Sequence, residues 1–309
     1  MVPTHNDGAN IGPLLARLLA EPCVHHVVVV ASGCDDATVP TVLEAAANDP
    51  RVQLYVEAER SGKAAAVNFG LGRITAPPAG EGRTPTVPYV VVVSGDVLPE
   101  PGALAKLLTA LEAPGVGLAG GRPVPVNGDQ SAIDSACHLL WRLHHRLALH
   151  QPKLGEMIAL RAEAVVALPR TSVDEACFQA LLEAAGWRSA YVPDAVVRNR
   201  GPGTLGDFVR QRRQVHAGHL WLLHRHDYAV PSLRVGLLLA ELGRDLRHDG
   251  RWRRPRQVAF TAGTMAMEAS ARLLARLDYC RGKENDVWPM VESTKDPALD
   301  ADRMGSLDR

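Results

Sequence analysis

No apolar run in this chain of 309 residues reaches the roughly 18 needed to cross a bilayer. The longest candidate, around Val235–Leu242, is too short and runs into charges, which argues against a membrane-spanning role. Nothing at the start has the pattern of a secretory leader, and none is expected. Cysteine is sparse: Cys23, Cys34, Cys137, Cys177 and Cys280 are odd in number and widely scattered. No CxxC pair or Cys/His metal spacing occurs, which excludes a zinc module and suits reduced thiols in a cytoplasmic setting. Net charge is missing as well, since 34 Lys and Arg balance 34 Asp and Glu. No internal repeat is visible.

The balance hides an uneven spread. By count along the chain, residues 1–197 carry 14 basic against 20 acidic side chains, 198–256 carry 13 against 5, and 257–309 carry 7 against 9. The middle block is thus strongly positive and should face phosphates, a lipid surface or nucleic acid. Aromatics are only scattered through it and no recognised nucleic-acid module appears, which argues against the last. A composition of 46% hydrophobic and 22% charged residues is that of a globular protein large enough for one large domain or two modest ones.

The most informative stretch is Tyr89-Val-Val-Val-Val-Ser-Gly-Asp96. A β-branched run between turn signals predicts a strand buried on both faces. At its carboxyl end the chain turns polar and presents one carboxylate, Asp96. Open α/β sheets bind ligands at such ends, so Asp96 is the first place to look for a metal. Val27–Val30 and Val52–Val56 predict two more buried strands, each followed by a polar turn and a helical pattern. Alternating strands and helices predict βαβ units around a parallel sheet, with every polar turn at one end.

Met1-Val-Pro-Thr-His-Asn-Asp7 looks like the tail of a strand and the loop after it. The expectation is that the assigned start codon lies downstream of the true one, rather than that the first strand is very short. Pro13 suits a first helical turn. A helix after Lys63 is expected to stop near Gly70 or Gly72, residues 75–88 to form an exposed mobile loop, and Gly120–Ser131 to be a loop. Gly186 reads as the residue closing a helix that carries Phe178 and Leu182. Residues 205–226 predict a basic helix, 232–245 and 257–280 two amphipathic helices, and the tail after Asp286 a poorly ordered polar segment.

Five short motifs stand in order at the strand ends and beyond. They are Val2-Pro-Thr-His-Asn-Asp7, Ser32-Gly-Cys-Asp-Asp-Ala-Thr38, Arg60-Ser-Gly-Lys-Ala64, Ser94-Gly-Asp96, and Asp174-Glu175 with Gln211-Arg-Arg-Gln214 downstream. Together they resemble the inverting glycosyltransferases of family 2, over roughly residues 1–220. The resemblance implies a GT-A fold: α/β, with a Rossmann-like, mostly parallel sheet flanked by helices and a helical C-terminal extension. It implies a glycosyltransferase domain over 1–225, the extension over 226–285 and a tail over 286–309.

The implied activity is transfer of a hexosyl or N-acetylhexosaminyl group from a nucleotide-diphospho-sugar to an acceptor that could be a glycan, a lipid carrier or a small metabolite. In that reading Pro3, Thr4, His5 and Asp7 hold the nucleoside, with Ser32 and Asp36 beside the base. Ser32 replaces an acidic residue of the family pattern, which leaves base preference open. Arg60 and Lys63 meet the diphosphate, Arg as a fork and Lys as a point charge. Asp96 binds Mg²⁺ or Mn²⁺, while Ser94, in place of the family's first Asp, and Gly95 contact the nucleotide. Glu175 is the implied catalytic base, with Asp174 the second choice. Arg213 or Arg212 would reach the diphosphate, because Gln214 and Val215 replace the family's Arg-Trp. A third metal ligand could come from His216 or His219.

Arg247–Arg256 (RHDGRWRRPR) suggests peripheral contact with anionic lipid at the inner membrane face. Acceptor selection is assigned to Gly120–Lys153 and to residues past 225. Two other readings stand beside the main one: a nucleotidyltransferase on a related sheet, and a degenerate sugar-nucleotide-binding protein, the latter favoured by Ser32, Ser94 and Gln214.

Overall fold

The computed structural model describes residues 1–75, 87–128, 131–283 and 294–295. Parallel β1 (Val2–Thr4), β2 (Val27–Ser32) and β3 (Val52–Glu57) pair in that order. All six residues of β2 are buried, as a strand covered by helices on both faces requires. The amide of Val93 donates to the Met1 carbonyl at 3.1 Å, and that of Gly95 to Pro3 at 3.2 Å. These bonds lay β1 against β4 (Tyr89–Val93), so the parallel sheet continues into the second one.

That second sheet is mixed. It runs β4, β7 (Met157–Arg161), β6 (Val116–Pro125), β8 (Arg188–Asn199) and β5 (Val97–Pro99), with β6 and β8 parallel and the other pairs antiparallel. β6 extends through 125, so Gly120–Ser131 is not simply a loop: its first half is paired with β8. α1 (Gly8–Leu19), α2 (Thr38–Asn48), α3 (Lys63–Thr75), α4 (Ala103–Leu111) and α6 (Asp174–Ala184) flank the sheets.

Two expectations about helix ends are corrected. Pro13 lies inside α1, which already starts at Gly8 because the Asp7 carbonyl accepts from the amides of Asn10 and Ile11. α3 runs through Gly70 and Gly72 to Thr75, because Ala64, Ala66, Val67 and Leu71 bury its inner face and outweigh the glycine penalty. Gly186 does close α6, at φ +87°, with the Trp187 amide on the Leu182 carbonyl. The expected loop over 75–88 falls largely on residues outside those described.

A helical layer follows: α5 (Ala132–His150), α7 (Leu205–His226), α8 (Val235–Arg247) and α9 (Pro255–Cys280). Ser131 and Asp134 form a capping box at the start of α5, and Thr204 caps α7. The layer is tied by charge as well as apolar packing. Arg212 on α7 grips Glu268 on α9, and Arg142 on α5 grips Asp245 on α8 at 2.8 Å. No described helix is long and apolar enough to cross a membrane.

Candidate functional site

A cavity of about 540 Å³ opens at the carboxyl ends of β1, β2 and β4 and continues beneath α5, α7, α8 and α9. Its sheet end gathers most of the residues singled out from sequence. Pro3, Thr4, His5 and Asp7 line it from the β1–α1 turn, Ser32 from the end of β2, and Arg60 and Lys63 from the β3–α3 loop. Ser94, Gly95 and Asp96 line it from the turn after β4, and Asp174 and Glu175 from the start of α6.

Short polar contacts set these side chains. Asp7 is buried at 3% exposure and accepts from the Thr4 hydroxyl at 2.7 Å and the His5 amide at 3.1 Å. The Ser32 hydroxyl accepts from the Ser61 amide at 3.3 Å, which ties the ends of β2 and β3 together. A Cβ at Gly95 would run into both Asp7 and Thr4, so the residue between Ser94 and Asp96 has to be glycine.

Two residues fall elsewhere. Asp36 is outside the cavity wall, where its carboxylate accepts from the amides of Gly8 and Thr38, both at 2.9 Å, and so caps two helices. Arg213 points to Asp278 on α9 and does not line the cavity; its neighbour Arg212 does. His216 is bound to Glu268 at 2.9 Å, and His219 lines the helical end of the cavity. Among the described residues no three His, Cys, Asp or Glu side chains form a metal cluster, so neither histidine completes one with Asp96.

The carboxylates form two cation-bridged pairs. Lys63 reaches Glu175 at 2.6 Å and Asp174 at 3.1 Å. Burial opposes the Lys63 charge, but the two carboxylates outweigh it and raise its pKa above lysine's ordinary value. Burial and the neighbouring Glu175 push Asp174 up to about 7. Glu175 goes the other way: burial raises it, but the Lys63 ammonium overcomes this and holds it below the usual range. The second pair is Asp7 and Asp96, bridged by Lys295, which reaches Asp96 at 3.3 Å. Burial and Asp96 raise Asp7, with Lys295 opposing; for Asp96 burial is outweighed by Lys295, and the pKa falls.

Three features escaped the sequence reading. Glu156 lines the cavity with φ +63°, a strained backbone for a non-glycine residue, and its carbonyl accepts from the Ser94 amide at 3.3 Å. Burial, Asp96 and Glu175 push its carboxyl up to about 7. The only signal was a glutamate after Gly155 at the head of the apolar run Met157–Leu160. Lys295 belongs to the tail expected to be poorly ordered; Thr294 and Lys295 are placed in the site, and the rest of 286–309 lies outside the described residues. The third is a group of cations under the helices, Lys153, Arg212 and Arg272.

An α/β protein with a deep, charged cleft across the carboxyl ends of its parallel strands is built to hold a polar ligand there. The family model described as glycosyl transferase family 2 matches residues 1–165, and one described as glycosyl transferase family group 2 matches 89–247. This chain belongs to glycosyl transferase family 2. Its fold is like that of the mannosyltransferase PcManGT from Pyrobaculum calidifontis, solved with GDP-Man and Mn²⁺, with a TM-score of 0.64 at 20% identity over 92% of this chain and 86% of that one. Glucosyl-3-phosphoglycerate synthase from Mycobacterium tuberculosis, solved with Mn²⁺, UDP and glucosyl-3-phosphoglycerate, matches at a TM-score of 0.48 and 18% identity over 74% and 79% of the two chains. S. aureus TarS 1-349 with UDP-GlcNAc matches at 0.47 and 16% over 91% of each. No curated protein matches the chain.

Proposed function

We propose that the chain transfers a sugar, with inversion, from a nucleotide-diphospho-sugar held at the sheet end of the cavity. The observation that carries this is the facing of two cation-bridged carboxylate pairs, Asp7/Asp96 and Asp174/Glu175, in one cleft at the strand ends. Thr4, His5, Asp7 and Ser32 hold the nucleoside, while Arg60 and Lys63 meet the diphosphate. The domain limits 1–225 and 226–285 are part of the same reading, as is a cytoplasmic setting, which the five free cysteines support.

The donor set suits a hard dication. Asp7 and Asp96 are oxygen ligands that already share one cation, the Lys295 ammonium. Two carboxylates are few, which matches Mg²⁺ or Mn²⁺ filling its shell with phosphate oxygens and water. Such an ion, when bound, neutralises charge on the departing diphosphate. Glu175 is the base for the acceptor hydroxyl. Paired with Lys63 it is a weak base; a diphosphate that draws Lys63 away raises its proton affinity as the donor arrives. Asp174, with its pKa raised to about 7, holds a proton more readily than Glu175 and leaves Glu175 as the more fully charged member of the pair.

A thermal-shift panel of nucleoside diphosphates with and without Mn²⁺ tests the reading. Ligand at 100 times its dissociation constant adds about 2.7 kcal/mol to stability. A metal-dependent shift with one nucleoside diphosphate, together with release of that diphosphate from its sugar conjugate, is expected. A shift without turnover would instead favour the sugar-nucleotide-binding reading, to which Lys295 seated between Asp7 and Asp96 lends support.

A further inference from the structure

The helical end of the cavity has a charge problem of its own. Lys153, Arg212 and Arg272 line it together with one carboxylate, Glu268. Both Glu268 oxygens are engaged, one by Arg212 and the other by His216 at 2.9 Å. Lys153 has no carboxylate within ion-pair distance among the described residues; its ammonium donates to Nδ1 of His144 at 3.1 Å. His144 donates from Nε2 to the Lys153 carbonyl at 2.9 Å, so the ring is neutral and adds no compensating charge. Burial and the nearby Arg212 press the Lys153 ammonium down to about 8.

A second observation points into the same space. His219 lines the cavity at 4% exposure, and its Nδ1 is buried with no partner among the described residues. Nε of Arg272 is likewise buried without a partner, while its other end donates to the Ser232 carbonyl at 3.2 Å. Two unmatched buried nitrogens beside half-buried cations, of which Lys153 and Arg272 have no carboxylate of their own among the described residues, make a place that an anion would satisfy.

Outward from the cations the wall turns apolar. Leu238 and Met265 pack against the cluster that holds Leu143, and all three line the cavity. Val235 and Leu239, one helical turn apart on α8, also line it and are 55% and 58% exposed, so they form its mouth. Inward, Lys153 is close enough to Glu175 and Glu156 to feel their charge. The order from the surface is therefore apolar, cationic, then the Asp174/Glu175 pair.

We propose that this end is the acceptor site and that the acceptor is a lipid whose phosphate head group carries the accepting hydroxyl. The proposal rests on the donor reading above. The chain lies between α5, α8 and α9, the phosphate sits among Lys153, Arg212, Arg272 and His219, and the hydroxyl beyond it reaches Glu175. In the transfer, the hydroxyl oxygen bonds to the anomeric carbon and its proton passes to Glu175. The bond from that carbon to the diphosphate breaks, and the electron pair leaves with the nucleoside diphosphate.

The test uses lysophosphatidylglycerol, below its micelle concentration, as probe against the full chain. Its binding is expected to exceed that of glycerol 3-phosphate, which lacks the chain, and of dodecyl maltoside, which lacks the anion, by at least tenfold. Lys153→Met, and separately the surface change Leu239→Glu, should each weaken the probe about tenfold. The thermal shift with the nucleoside diphosphate and Mn²⁺ should stay unchanged in both variants, which also reports that they fold. Equal binding of glycerol 3-phosphate would reduce the site to one for free phosphate, and equal binding of dodecyl maltoside to an apolar groove; either overturns the proposal. So does a probe affinity that neither variant alters. Loss of nucleotide binding in the unmodified protein would instead defeat the donor reading.

Discussion

At the sheet end of the cavity carboxylates predominate and cations bridge them; at the helical end cations predominate around Glu268. The two ends also differ in what holds them. Asp7 and Asp96 sit on the turns at the carboxyl ends of β1 and β4, positions fixed by the sheet pairing, and Asp174 and Glu175 sit at the start of α6. The cations of the helical end come from α7, α9 and the segment between α5 and β7, brought together only by helix packing. A donor that carries its own negative diphosphate needs cations poised to let go of carboxylates, which Lys63 and Lys295 do. A site for an anion with no metal needs cations without carboxylates, which Lys153 and Arg272 supply.

The sharpest way to break this contrast is to remove charge at the sheet end. Glu175→Gln should lower sugar transfer by about 10²–10⁴-fold, in the range of a lost general base. Asp96→Ala should fall comparably and abolish the metal-dependent part of the thermal shift. Initial rates with the matched donor check both, and unchanged turnover would overturn the assignment of these residues.

At the helical end the largest effect is on stability. Glu268→Ala leaves Arg212 and His216 without their shared carboxylate, and breaking a buried pair costs about 3–5 kcal/mol. Urea titration should show it, while Arg244→Ala, on a pair whose arginine is 56% exposed, should shift stability by about 1 kcal/mol or less.

A smaller effect sharpens the difference through pH. Asp174 has a raised pKa when folded, about 7 against an ordinary 3.8. Its contribution to stability is fully present below the ordinary value and is lost as pH rises through about 7. Asp174→Asn removes that dependence, so its melting temperature relative to the unmodified protein should be higher at pH 8 than at pH 5. Melting curves at the two pH values decide it, and an equal difference at both would show that Asp174 does not titrate in this window. Smallest is Lys295→Ala, which frees Asp7 and Asp96. It should lower the Mn²⁺ concentration giving the half-maximal thermal shift by a few fold.

The sheet end was largely legible because its residues belong to short local patterns. The valine runs at 27–30 and 90–93 had no other home than a covered sheet, and each was followed by its polar turn. Asp36 illustrates the limit: it sits in the right turn, yet its carboxylate is spent on the amides of Gly8 and Thr38. Arg213 illustrates another, since one residue of helical phase separates it from Arg212 and sends it to α9. Glu156 escaped because it lies on a turn with an unusual φ, before a strand that pairs antiparallel with β4.

By itself the sequence determined the alternation of strand and helix, the end of the sheet where polar groups collect, and the set of turns that carry them. Those follow from periodicity and from turn chemistry, which act over a few residues. Only the tertiary structure decided which carboxylates share a cation, that Lys295 reaches across 199 positions to Asp96, and that Lys153 meets Arg212 and Arg272 in one wall. Charge pairing and burial act through space and carry no fixed spacing along the chain, so only the packed fold brings these groups together.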